Sequence, residues 1–162
     1  MSEIIFSAAD TKFMERAILI SIRNVEAGGG PFGAVIVKDG RIIAEGVNTV
    51  TLTNDPTAHA EVNAIRSACN QLKTFKLNGC KIYTSCEPCP MCLSAIYWSG
   101  ISGIFFGNTK EDAKAIDFDD SFIYEEIKQP YAARSIPAIP FLREKAQEAF
   151  KMWSLKDDKI KY

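Results

Sequence analysis

Apolar and polar positions follow two rhythms along this chain, and the switches between them outline its elements. Over about residues 9–27, Phe13, Ala17, Ile20 and Val25 recur on a broad apolar face and predict an amphipathic helix. Gly28-Gly29-Gly30-Pro31 stops it and lets the backbone turn tightly. The β-rich runs 33–38 and 41–46 follow, joined by Asp39-Gly40, a hairpin signal because a type I′ turn needs positive φ at both central positions. After a loop to Asp55, residues 57–72 read as a helix opened by Pro56-Thr57, 81–84 as a strand and 88–98 as a helix behind Pro88. Residues 101–106 read as another strand, with helix again from about 110 and over 141–153; the pattern over 117–140 favours no element. A hairpin, then helix, strand, helix, strand predicts an α/β sheet covered on both faces.

Composition narrows this picture only slightly. The 162 residues suit one compact domain, and 47% hydrophobic with 24% charged is ordinary for a globular protein. A net charge of −1 argues against a nucleic-acid partner at whole-chain level, so a small substrate is expected. The acidic, quickly polar start and the lack of any long apolar run predict a cytoplasmic protein with no membrane partner. Three of the five cysteines, Cys86, Cys89 and Cys92, fall within seven residues, a spacing that suggests metal binding rather than disulfides.

Two clusters carry the chemistry. One is Thr57-Ala58-His59-Ala60-Glu61, which holds the only histidine of the chain; the other is Cys86-Glu87-Pro88-Cys89-Pro90-Met91-Cys92. Either Cys86/Cys89 or Cys89/Cys92 has the C-x-x-C spacing that lets two thiolates meet one tetrahedral zinc. Cys89 and Cys92 are favoured, because in the first turn of a helix behind Pro88 free N–H groups stabilise thiolate charge. With His59 they make three protein ligands and leave a fourth position open to water, as catalytic zinc sites do. On a regular helix His59 and Glu61 would point about 200° apart, so they converge only if the helix aims its N-terminal end at the metal. There Glu61 would serve as general acid and base. The competing reading is a closed structural site with Cys86 as fourth ligand, in which Glu61 is an ordinary solvated residue and the protein a non-catalytic interaction module.

At His59-Ala60-Glu61 and Pro88-Cys89-Pro90-Met91-Cys92 the sequence resembles the cytidine-deaminase-like superfamily, whose signature pairs H-x-E with P-C-x-x-C. The resemblance implies a three-layer α/β/α sandwich around a five-stranded mixed sheet, one zinc per subunit, and Glu61 as proton carrier. Within the superfamily the chain is similar to small bacterial-type guanine deaminases over most of its length, most specifically at 54–61, 83–92, 95–98 and 118–124. Parts of the first two stretches also occur in tRNA adenosine deaminases. The similarity implies hydrolysis of guanine to xanthine and ammonia, with guanosine, tRNA adenosine or cytosine as alternative substrates on the same fold.

It also nominates substrate-binding residues: Asn48 and Asp120 as hydrogen-bonding groups, the Ala60 backbone N–H, and Phe32 and Trp98 against the ring faces. Finally, it implies a single deaminase domain over 1–162 that forms a homodimer. The segment from about 141 onward would be swapped between subunits and would bring Tyr162 to the partner's substrate.

Overall fold

The structure, a computed structural model, describes residues 6–161. The chain divides into two compact units, Met1–Asp120 and Ser121–Tyr162.

The first unit opens with α1, Ala8–Glu26, started by a capping box: Ser7 Oγ accepts the Asp10 backbone N–H at 3.1 Å and the Asp10 carboxylate accepts the Ser7 N–H at 2.9 Å. Its buried residues are Ala17, Ile20, Ser21 and Asn24. The expected face differs at its last member: Asn24 is buried, whereas Val25 is 53% exposed. Seven residues bring a helix back to within about 20° of Ala17, while eight carry it about 80° past.

Strands β1 (Gly33–Lys38) and β2 (Arg41–Val47) form the hairpin, with Asp39 at φ 49° and Gly40 at φ 72° as the turn type requires. A four-residue helix, α2 (Val50–Thr53), precedes α3 (Ala60–Leu72). Strand β3 (Lys81–Cys86), α4 (Pro90–Ser99), β4 (Gly103–Asn108) and α5 (Lys110–Lys114) complete the unit. The sheet order is β2-β1-β3-β4; β1 is antiparallel to both neighbours and β3 is parallel to β4, so the sheet is mixed.

Alternation along β1 sends its side chains to two cores. Ala34 and Ile36 join Ala60, Ala64 and Ala68 of α3 on one face; Val35 and Val37 join Ala17 and Ile20 of α1 and Tyr83 of β3 on the other. Helices therefore cover both faces, as the pattern predicts.

The sheet has four strands among the described residues, not five. After β4 the chain enters a second capping box, in which Thr109 Oγ1 accepts the Asp112 N–H and the Asp112 carboxylate accepts the Thr109 N–H. This turns it into α5, and residues 121–128 follow a helical period.

Small residues bring α3 close to the sheet at Gly46. A Cβ there would lie 2.2 Å from the Ala60 carbonyl oxygen and 2.4 Å from the Ala64 nitrogen, both backbone atoms that cannot step aside. Gly46→Ala should therefore destabilise the protein by about 3 kcal/mol, the upper end of the overpacking range. A urea unfolding midpoint equal to that of the parent would contradict this.

The second unit contains α6 (Ser121–Lys128), a short 3-10 turn at Tyr131–Ala133, and α7 (Arg143–Leu155). None of its helices has a buried residue, and Ile136, Ile139, Phe141 and Leu155 are each at least 80% exposed. Among the described residues, no helix is long and apolar enough to cross a membrane.

Candidate zinc centre

The His59 segment is shaped by a turn that delays its helix. Asp55 Oδ1 accepts both the backbone N–H and the hydroxyl of Thr57, at 2.8 and 2.7 Å, and the His59 N–H donates to the Thr57 carbonyl at 2.8 Å. The helix therefore starts at Ala60 rather than Thr57, and His59 becomes its N-cap in extended conformation. His59 lies outside the regular helix, so the divergence of about 200° that two helical residues at i, i+2 would suffer does not arise.

A similar shift occurs at the cysteines. Pro90, not Pro88, is the first residue of α4; Cys89 is the N-cap and Cys92 lies in the first turn. Two helix N-termini thus meet at one place, each ending in a side chain able to bind a metal.

His59 Nδ1 lies 3.6 Å from Cys89 Sγ and 3.5 Å from Cys92 Sγ, and the three ligand atoms all fall within 4.8 Å of one another. Tetrahedral zinc with a nitrogen at 2.0–2.1 Å and a sulfur at 2.3 Å would hold that pair about 3.6 Å apart. The residues present fit the ion in both chemistry and spacing.

Cys86 does not join them. It is buried, its Sγ donates to the Thr109 carbonyl at 3.6 Å, and burial pushes its thiol up to about 11.

Around the cluster the charges are tightly linked. A hydrogen bond between the two thiols drives Cys89 down and Cys92 up, so that the pair readily gives up one proton and retains the second. The hydrogen bond to Cys89 raises His59. Glu61, in the first turn of α3, is only 6% exposed. Burial lifts its carboxyl above the usual range, while a bond from its own backbone N–H and one with the Cys92 thiol oppose the shift. A buried carboxylate in contact with a metal ligand is placed to carry protons there.

The remaining nominated residues fall into three groups. Asp120 lies within electrostatic reach of the cluster: burial first, then the Cys89 charge, raises its carboxyl, and its own charge acts on His59 and Cys86. Ala60 is fully buried as the first residue of α3. Asn48 is buried at the end of β2, with Oδ1 accepting the Val50 N–H at 3.2 Å. Its own N–H donates to the Phe32 carbonyl at 3.1 Å. Phe32 meets Phe118 edge to face at 4.9 Å. Trp98, on α4, is 64% exposed, and its carbonyl accepts from Lys76 Nζ at 3.2 Å. Tyr162 lies outside the described residues.

Two residues that the sequence pattern did not single out hold these loops together. Asn63 Nδ2 donates to the Val47 carbonyl at 2.9 Å and the Thr49 hydroxyl at 3.2 Å, and Asn24 Nδ2 donates to the Asn48 carbonyl at 2.7 Å. The available signal was an asparagine inside each predicted helix, where its side chain competes with the backbone for hydrogen bonds.

Comparison with known proteins agrees with this geometry. Residues 7–108 match the cytidine and deoxycytidylate deaminase zinc-binding region. The chain is 54% identical over 142 residues to guanine deaminase of Bacillus subtilis strain 168, covering 87% of this chain and 91% of that one. The X-ray structure of guanine deaminase from Bacillus subtilis superposes with a TM-score of 0.91 at 51% identity, over 94% of this chain and 98% of that one. A tRNA-specific adenosine deaminase of Aquifex aeolicus is 45% identical over 94 residues, 58% of this chain and 62% of that one. The chain belongs to the cytidine and deoxycytidylate deaminase family, and His59, Cys89 and Cys92 give it a site suited to one zinc ion.

Proposed function

We propose that this protein hydrolyses guanine to xanthine and ammonia. The observation that carries the reading is the buried Glu61 carboxyl in contact with Cys92, beside a His59/Cys89/Cys92 cluster with the spacing of a zinc site. Similarity to the Bacillus subtilis guanine deaminase over most of both chains supports guanine as the substrate.

When bound, zinc supplies a Lewis acid that lowers the pKa of a coordinated water to about 7. Glu61 accepts a proton from the attacking water and passes it to the ring nitrogen beside C2. As the C2–N bond breaks, Glu61 moves the second proton to the departing amino group, so guanine and water become xanthine and ammonia. Asn48, whose Oδ1 is engaged by Val50, turns its Nδ2 to the purine as donor. Asp120 accepts from the N–H groups of the purine, and the Ala60 N–H meets a ring acceptor. Phe32 and Trp98 lie against the ring faces.

In this reading the protein is a cytoplasmic homodimer, a single deaminase domain whose segment from about 141 is exchanged between subunits, with Tyr162 closing the partner's site. The apolar side chains exposed on that segment, Phe141, Phe150, Met152 and Leu155 among them, support its exchange.

A second reading, deamination of adenosine in tRNA, is favoured by the tRNA-specific relatives but weakened by the net charge of −1. Ammonia release from zinc-loaded protein given guanine, guanosine, adenosine, cytosine and tRNA separates the two. Release from guanine alone is expected. Release only from tRNA, falling steeply with salt, would replace guanine as the substrate. Sedimentation of the same preparation tests the exchange, and a monomer would remove it.

A further inference from the structure

Asn24 occupies an unusual place for an amide. It lies in the last turns of α1, 6% exposed, on the face that otherwise buries Ala17 and Ile20. A buried amide needs partners, and Asn24 finds them in two other segments. Its Nδ2 donates to the Gly30 carbonyl at 2.8 Å and to the Asn48 carbonyl at 2.7 Å. One side chain thus ties the loop that leads into Phe32 to the strand end that carries Asn48. The Asn48 N–H completes the stitch by donating to the Phe32 carbonyl at 3.1 Å.

The glycines between these residues explain the stop at 28–31. A Cβ on Gly29 would lie 2.4 Å from Asn24 Nδ2 and 2.6 Å from its Oδ1, and a Cβ on Gly30 would lie 3.0 Å from the Asn48 amide. The loop is glycine-rich there because it packs between two amide groups. On the far side, Asn63 holds the Val47 carbonyl and the Thr49 N–H donates to the Ala58 carbonyl at 2.9 Å, which ties the same segment to the turn before His59. Asn24 is the side chain that grips Asn48 itself.

We propose that Asn24 is a positioning residue for substrate recognition, fixing Asn48 and Phe32 relative to the His59/Cys89/Cys92 cluster without touching the substrate. The inference rests on the reading above, in which Asn48 and Phe32 contact the purine.

The test compares Asn24→Ala, Gly29→Ala, Asn48→Ala and the double variants of Asn48→Ala with each of the other two. The readouts are KM and kcat on guanine together with zinc content. Asn24→Ala should raise KM about tenfold to a hundredfold, the range for one or two lost buried hydrogen bonds. It should change kcat by no more than about threefold and keep one zinc per chain. Gly29→Ala, which displaces the Asn24 amide without altering its chemistry, should give the same pattern. It also keeps the test decisive if Asn24→Ala does not fold.

In the Asn48→Ala background either change should add less than about threefold to KM, because the group being positioned is already gone. Effects that multiply in the double variants, or that fall equally on kcat and zinc content, would overturn the positioning role and leave guanine as the substrate. No ammonia from guanine with the parent protein would overturn the substrate reading and this inference with it.

Discussion

Glu61→Gln should keep one zinc per chain and lose about a thousandfold to ten-thousandfold in kcat. General acid–base catalysis contributes about 10²–10⁴ in rate, and the upper part of that range is expected because one carboxyl moves both protons. Glutamine keeps the volume and can still accept the backbone N–H that Glu61 now accepts, but it cannot cycle a proton. Stability should hold or rise, because an amide escapes the cost of burying a charge at a site that is 6% exposed. The checks are metal analysis, steady-state kinetics and a thermal melt on one preparation. A kcat within tenfold of the parent would remove Glu61 from the chemistry; loss of zinc would mean that it acts as a ligand.

Cys92→Ala is expected to remove the metal and, with it, all measurable turnover. A structural zinc site is worth about 10–16 kcal/mol in apparent binding; divided over four ligand positions, each thiolate accounts for roughly 3 kcal/mol, more than a hundredfold in affinity. Cys92 is 1% exposed and its Sγ lies 3.5 Å from His59 Nδ1, so no solvent-borne ligand replaces it easily. Cys86→Ala is the control. Its thiol is engaged with the Thr109 carbonyl, so this variant should retain zinc and activity. If Cys86→Ala lost the metal instead, the closed four-ligand site would return.

Much of the site was legible because its chemistry is local in sequence. One histidine, one carboxylate two residues on, and two thiols at C-x-x-C spacing admit few arrangements, and the hairpin announced itself through Asp39-Gly40. Two of the errors share one physical origin, side-chain hydrogen bonds that overrule backbone pattern. Asp55 caps the turn before α3 and moves the helix start from Thr57 to Ala60. Asn24 displaces Val25 from the buried face because the loops around Asn48 supply its amide with two acceptors. None of these partners is adjacent to the position that was misread in a way periodicity registers. The stretch 117–140 was hard to read for another reason: most of its apolar residues are exposed, so no buried face disciplines their spacing.

His59 and Cys89 are both N-cap residues, and neither makes the side-chain capping bond that Ser7 and Thr109 make at their helices. Each omission forgoes about 0.5–2 kcal/mol of helix stability. The ion that draws these two side chains together therefore also clamps two helix starts whose N-cap side chains supply no hydrogen bond of their own. Metal loading becomes a folding checkpoint for α3 and α4. A chain starved of zinc would keep its hairpin and α1, whose start is capped from within, while the amides of the first turns at Ala60 and at Met91 and Cys92 exchange with solvent most readily. In a cell short of the metal, quality control would meet a protein frayed at its own active centre before it met an idle enzyme.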